Sequence, residues 1–296
     1  MWPTLDEHVQ GVAFVLVSAF CFGLLPIFAR LAYPQGVLVN ELLLTRFVLA
    51  FVLIGIPLLL SRKLVRPGRK DLLILIGLGS IGYFLQSFLY FRAIVTISVS
   101  IASLILYTYP ALVTLSAYLL GWEKASTNIV SSVVLSLSGL VLVANPIFQA
   151  WSAGELLALG AAVSYTLYIV VSTRVLQNVR GEVAAFWVMG SAALSFALYG
   201  AFTGTLRYRW TPEGWLWVVM LSICTAVAVT LFFRGIALIG SSRSSLISLF
   251  EPITSVFFAF LLFGNSLTVY QWIGAGLILV GAALAALTHK PKYSKS

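Results

Sequence analysis

The chain has 296 residues, 60% hydrophobic and only 9% charged. Soluble domains carry about 25% charged residues, so composition excludes a soluble globule and points to a protein whose outer surface is solvated by lipid. The net charge of +9 does not indicate a nucleic-acid partner, because the basic residues punctuate apolar runs instead of clustering with aromatics on one face.

Residues 1–9 carry Asp6 and Glu7 and no basic stretch, so they read as a cytoplasmic N-terminus before a retained helix, not as a cleaved signal peptide. Ten apolar runs follow, each close to the ~20 residues that a spanning helix needs. They lie near 10–31, 37–60, 71–92, 97–120, 127–145, 154–175, 183–203, 213–234, 241–263 and 268–287, and residues 288–296 form a basic tail. Runs of this length without alternation exclude a spanning β-barrel. The expectation is an all-α integral membrane protein with ten spans. With a cytoplasmic N-terminus, thirteen Lys and Arg fall on the cytoplasmic side and four on the outer side, and Arg46 lies within the second span. This bias places both termini in the cytoplasm. Cys21 and Cys224 read as small apolar packing residues, and His8 and His289 lie outside the runs, so neither a metal site nor a resident cofactor is expected.

The chain also repeats itself. Tyr90-Phe91-Arg92-Ala93-Ile94 parallels Phe232-Phe233-Arg234-Gly235-Ile236, Pro110 parallels Pro252, and Leu137-Ser138-Gly139 parallels Leu279-Val280-Gly281. All three pairs share an offset of 142 residues, and Gly11–Ala19 parallels Gly154–Ala162 at 143. A constant offset over most of a half means duplication. Five spans is an odd number, so the second copy (154–287) enters the membrane opposite to the first (10–145). Inverted repeats are a recurring transporter device, with the substrate near the midplane between the halves.

An aromatic-Phe-Arg-small-Ile segment, a Ser-rich stretch, a mid-span Pro and a Gly-rich last helix, present twice, resemble the EamA repeat of the drug/metabolite transporter superfamily. The likeness covers about residues 10–288. The family's Gly-Glu pair at the end of a repeat's fourth helix has a counterpart in Gly121-Trp122-Glu123, whereas Gly264-Asn265 carries Asn where Glu is usual. Within the superfamily, the chain most resembles bacterial exporters of aromatic amino acids. That resemblance implies ten helices in the bacterial inner membrane, a central cavity, and efflux of amino acids or related metabolites.

Ionisable groups inside lipid are functional candidates by default. Glu251 lies near the middle of the ninth span and matches Tyr109 in the first repeat, so the acid breaks the internal symmetry. Either it binds a substrate ammonium or carries a coupled proton, or it is structural, as a pair with Arg46 or as a neutral buried acid bonded to Ser or Tyr. Arg46 is suited to hold a substrate carboxylate, and equally to pair or pack helices. Tyr83, Gln86, Ser87 and Tyr90 share one helical face. Ser164, Tyr165 and Tyr168 repeat the pattern, and Tyr107, Ser244 and Ser248 extend it. Such faces either line an aromatic-rich cavity or serve interhelical hydrogen bonding. Pro110 and Pro252 are expected as mid-helix kinks that shape the site or serve packing alone. Arg92 and Arg234 are expected to satisfy helix C-termini or snorkel. Gly274, Gly276 and Gly281 favour close helix packing behind the cavity or an oligomer contact, so a monomer and a homodimer both remain open.

The leading reading is a secondary exporter of amino acids, aromatic ones preferred. Amphipathic drugs or other metabolites are the alternative cargo. No Gly-Lys-Ser/Thr phosphate loop occurs, so the chain itself does not use ATP. An intramembrane enzyme is disfavoured because no catalytic constellation accompanies Glu251. A channel is disfavoured because nothing resembles a charge ring or carbonyl filter.

Overall fold

The computed structural model describes residues 5–120, 127–144, 152–239, 244, 247–248, 250–264 and 267–287. The basic tail, Gly121-Trp122-Glu123, Asn265, Ser241, Ser245 and His289 lie outside the described residues. Among the described residues every regular element is helical: α1 (Leu5–Ala32), α2 (Val39–Leu60), α3 (Arg69–Thr96), α4 (Val99–Leu106), α5 (Tyr109–Leu119), α6 (Thr127–Ala144), α7 (Ala153–Val175), α8 (Gly181–Thr203), α9 (Pro212–Ile239), α10 (Phe250–Phe263) and α11 (Val269–Leu287). Six of these (α1, α2, α3, α7, α8 and α9) are long and apolar enough to cross a membrane, and shorter apolar helices accompany them.

The most extensive helix pairs are α1 with α9 and α6 with α11. Small residues make both possible. A Cβ at Gly235 of α9 would stand 2.2 Å from Val15 Cγ2 of α1, and one at Gly139 of α6 would stand 2.5 Å from the Gly274 carbonyl oxygen of α11. In lipid the backbones approach through such positions because there is no hydrophobic force to join helices. The glycine pattern of the last helix thus serves packing within the chain at Gly274, while Gly276 faces open space. The α1–α9 and α3–α7 pairs exchange under the 142-residue equivalence, as expected of two related halves.

The expected fourth span is not continuous. Ser98 caps α4, its Oγ accepting the Ile101 N–H at 3.2 Å. The helix stops at Tyr107, and Thr108 Oγ1 donates back to the Ile105 carbonyl at 2.9 Å. The chain restarts at Tyr109 with Pro110 second in α5. In the other half Ser248 lies in a turn and α10 begins at Phe250, which puts Pro252 in its first turn. The prolines therefore open half-helices and do not kink continuous ones. The physical reason is that proline lacks the N–H that a first turn leaves unpaired anyway, whereas in mid-helix it would cost a bond.

A second irregularity lies in α3. Residues Leu78–Tyr83 wind as a π-helical segment between α-helical Arg69–Gly77 and Phe84–Thr96. The wider turn disturbs the local ladder, and Ser195 Oγ of α8 donates to the Ser80 carbonyl at 3.2 Å. Tyr83 closes this segment and points toward α2.

Candidate functional site

Arg46 sits about two turns beyond the start of α2 and is 2% exposed. Its Nε donates to Thr225 Oγ1 of α9 at 2.8 Å and its Nη2 to the Tyr83 hydroxyl at 3.1 Å. Three rings cradle the guanidinium, with centroids 4.8 Å (Phe47), 5.1 Å (Phe91) and 5.6 Å (Tyr83) from Cζ. Ring faces carry partial negative charge, so this cage stabilises a cation in a medium without water.

Glu251, in the first turn of α10, is 6% exposed. Its Oε2 accepts a short hydrogen bond from the Tyr107 hydroxyl, at the point where α4 breaks. The two discontinuous helices of the halves thus meet through this bond. Arg46 and Glu251 form no ion pair; among the described residues the ion pairs join Glu182 to Arg180 and Arg234. The acid is therefore bonded to a tyrosine, one of the alternatives read from the sequence, and the alternative pairing with Arg46 is not formed. Separation leaves each group with one unused atom. Arg46 Nη1 and Glu251 Oε1 are buried and have no hydrogen-bond partner among the described residues.

Both residues line one cavity of about 50 Å³. Seven of the residues singled out in the sequence surround it: Arg46, Tyr83, Gln86, Tyr90, Tyr107, Tyr165 and Glu251. Tyr90 is held by a 2.8 Å hydrogen bond with Ser103. Tyr165 packs edge-on against Tyr109, with centroids 4.7 Å apart. The other five expected lining residues do not face the cavity. Ser87 is next to Gln86, about 100° round the helix, and spends its hydroxyl on Gln86 Oε1 at 3.1 Å. Tyr168 stands behind the lining, stacked on Tyr165 at 5.9 Å and packed on Tyr83 at 5.2 Å. Ser164, Ser244 and Ser248 are buried elsewhere in the packing. A shared helical face is broader than the arc that one small cavity touches, so the face pattern overcounts.

Sequence reasoning missed Phe22, Leu25 and Pro26 of α1, and Ser255, whose hydroxyl donates to the Gly23 carbonyl at 2.8 Å. Pro26 inside α1 was the available signal. It also missed Glu41. This acid, 1% exposed, accepts the backbone N–H groups of Arg207 and Tyr208 at 2.5 Å each, Trp210 Nε1 at 2.6 Å and Leu38 N–H at 3.2 Å. It pins the α8–α9 loop across the start of α2 and seals that end of the bundle. The acid in the first turn of α2, three residues after Leu38, marked an N-terminal cap but not a latch to a loop more than 160 residues away. Arg234 needs a correction as well. Its Nη2 lies 2.6 Å from Glu182 Oε1, so a partner acid, not the helix end, holds it. Arg92 keeps its place near the end of α3, its Cζ 5.7 Å from the Phe88 ring.

Residues 9–145, and again 152–287, match the EamA-like transporter family. The chain belongs to the EamA-like transporter family. Relatives match over most of the EamA-like chain. The protein "Uncharacterized transporter YcbK" of Bacillus subtilis (strain 168) is 27% identical over 285 residues, covering 92% of this chain and 91% of that one. An "Uncharacterized transporter" of Archaeoglobus fulgidus is 27% identical over 276 residues, covering 93% and 96%. "Uncharacterized inner membrane transporter YicL" of Salmonella typhimurium is 23% identical over 289 residues, covering 94% and 95%. A crystal structure with a TM-score of 0.67 covers 94% of this chain and 97% of its own at 23% identity, and so shares the fold. The two EamA-like copies divide the site: Arg46, Tyr83, Gln86, Tyr90 and Tyr107 come from the first, and Tyr165, Thr225, Glu251 and Ser255 from the second.

Proposed function

We propose that the chain is a secondary carrier that exports α-amino acids, aromatic ones preferred, by alternating access at the Arg46–Glu251 cavity. One observation carries this reading. A buried donor, Arg46 Nη1, and a buried acceptor, Glu251 Oε1, face one aromatic cavity and lack partners among the described residues. A buried polar atom without a bond costs ~1–3 kcal/mol, so a ligand that satisfies both is favoured over one that satisfies neither. A zwitterion does so, its carboxylate at Arg46 and its ammonium at Glu251, while the rings of Tyr83, Tyr90 and Tyr165 flank an aromatic side chain. A proton and an ammonium would compete for the same carboxylate oxygen, which couples inward proton movement to outward substrate movement.

The volume of about 50 Å³ holds a few waters, far below the ~300 Å³ at which small-molecule sites begin. This conformation is thus the closed one of the cycle, with the Glu41 latch shut. Opening separates two inverted five-helix repeats, 10–145 and 154–287, which make ten spans if the broken helices are counted with their partners. Both termini, 1–9 and 288–296, stand in the cytoplasm of a bacterium, a placement that the basic bias of the loops supports. The carrier needs lipid around it, no resident cofactor or metal and no catalysis, and it works as a monomer or homodimer.

Uptake of labelled phenylalanine into proteoliposomes tests the reading. Saturable movement is expected, competed by tryptophan and tyrosine but not by phenethylamine or phenylpropionate, each of which carries one charge only. Equal competition by either analogue would overturn the zwitterion. An apolar groove of about 370 Å³ beside Leu104, Pro252, Phe257 and Trp272 favours a second reading, export of amphipathic drugs or other metabolites. Movement of an amphipathic dye without movement of phenylalanine selects that reading.

A further inference from the structure

A third cavity, of about 640 Å³, lies away from the central site, between α2, α8 and α9. Its chemistry is divided end from end. Lys63, Arg180 and Arg234 stand at one end with Glu182 as the sole acid of the lining. Arg234 and Glu182 neutralise each other at 2.6 Å, and Arg180 stands 3.8 Å from the same carboxylate with 53% of its side chain exposed. Lys63, three residues past the end of α2, is exposed and has no ion-pair partner among the described residues. The remaining wall is largely apolar, and Leu53, Ile223 and Val227 are between 36% and 42% exposed.

The dimensions select the occupant. From Arg234 to Ile223 the trough follows α9 for eleven residues, or about 16 Å at ~1.5 Å per residue. That is close to one leaflet's share of a hydrocarbon core ~30 Å thick. Lys63 and Arg180 flank the end of α2 and the start of α8, the level at which spanning helices reach a headgroup layer, and the apolar wall runs from there along α2 and α9. We infer that this trough binds an anionic glycerophospholipid, with its phosphate at Lys63 and Arg180 and one acyl chain along Leu58, Ile54, Val227 and Ile223. Charge complementarity favours an anionic over a zwitterionic headgroup, since a basic pocket between helices recognises negative charge at the bilayer surface. The site does not depend on the identity of the transported substrate.

The test is lipid retention by the full chain in detergent, read by native mass spectrometry with phosphatidylglycerol and phosphatidylcholine of equal chain length. The expected result is roughly thirtyfold preferential retention of phosphatidylglycerol, the order set by two basic residues at a headgroup. The double variant Lys63→Gln, Arg180→Gln abolishes the preference, and Lys63→Gln alone, an exposed and unpaired position, reduces it if the double variant fails to fold. Val227→Trp fills the trough and weakens retention of both lipids. No preference in the parent chain, or a preference unchanged in Lys63→Gln and in the double variant, overturns the proposal. Displacement of the lipid by low-millimolar glycerol phosphate also overturns it, because that marks a site for a soluble phosphate.

Discussion

Two pairs of positions are equivalent by the internal repeat and differ in chemistry. Tyr109 and Glu251 open the half-helices of the first and second copies, and Arg92 and Arg234 stand near the ends of the matching helices α3 and α9. In each pair the second copy carries an acidic contact that the first lacks among the described residues. Glu251 accepts from Tyr107, and Arg234 binds Glu182. Duplication therefore accounts for the scaffold, the broken helices and the exchanged helix pairs. The polar chemistry of the central cavity departs from it, since Glu251 stands where the first copy carries Tyr109.

Substitutions at the departures should have the largest effect. Glu251→Gln keeps the shape and removes the charge, and is expected to raise KM for a zwitterionic substrate about 10- to 100-fold, the equivalent of the ~1.5–3 kcal/mol of a charge-assisted hydrogen bond. It should also remove the response to an imposed pH gradient while leaving counterflow exchange intact. Proton-driven uptake that survives in this variant defeats the coupling role. Arg46→Gln should raise KM by a similar factor and spare the affinity for analogues without a carboxylate; an equal loss for both kinds of ligand would point to a packing role for Arg46.

The symmetric scaffold sharpens the comparison from the other side. Gly235→Ala adds a methyl 2.2 Å from Val15 Cγ2, and should lower stability by about 1–3 kcal/mol, seen as a fall in thermal midpoint in detergent. Gly276→Ala, which meets open space, should not lower it. The smallest expected difference separates the two arginines. Arg234→Gln should cost about 0.2–1 kcal/mol, because its ion pair with Glu182 is partly exposed, while Arg92→Gln should stay within ~0.5 kcal/mol. Equal losses at both would show that the ion pair contributes nothing.

Much of this was readable from local pattern. Apolar run length, the 142-residue offset and the scarcity of charge made membrane helices and duplication evident, since each depends only on composition or spacing. Arg46 and Glu251 stood out because ionisable groups are costly in lipid wherever they occur. What tertiary structure alone decided is which atoms meet. The prolines open half-helices because their missing N–H fits a first turn, and a run of apolar residues does not record where a helix stops. Five of twelve expected lining residues do not line the cavity, because a helical face spans a wider arc than a small cavity touches. Glu41 became a latch only when folding brought a loop more than 160 residues away onto it. Composition and periodicity determine which surfaces leave water, whereas the partner of each buried polar atom is set by chain segments far apart in sequence.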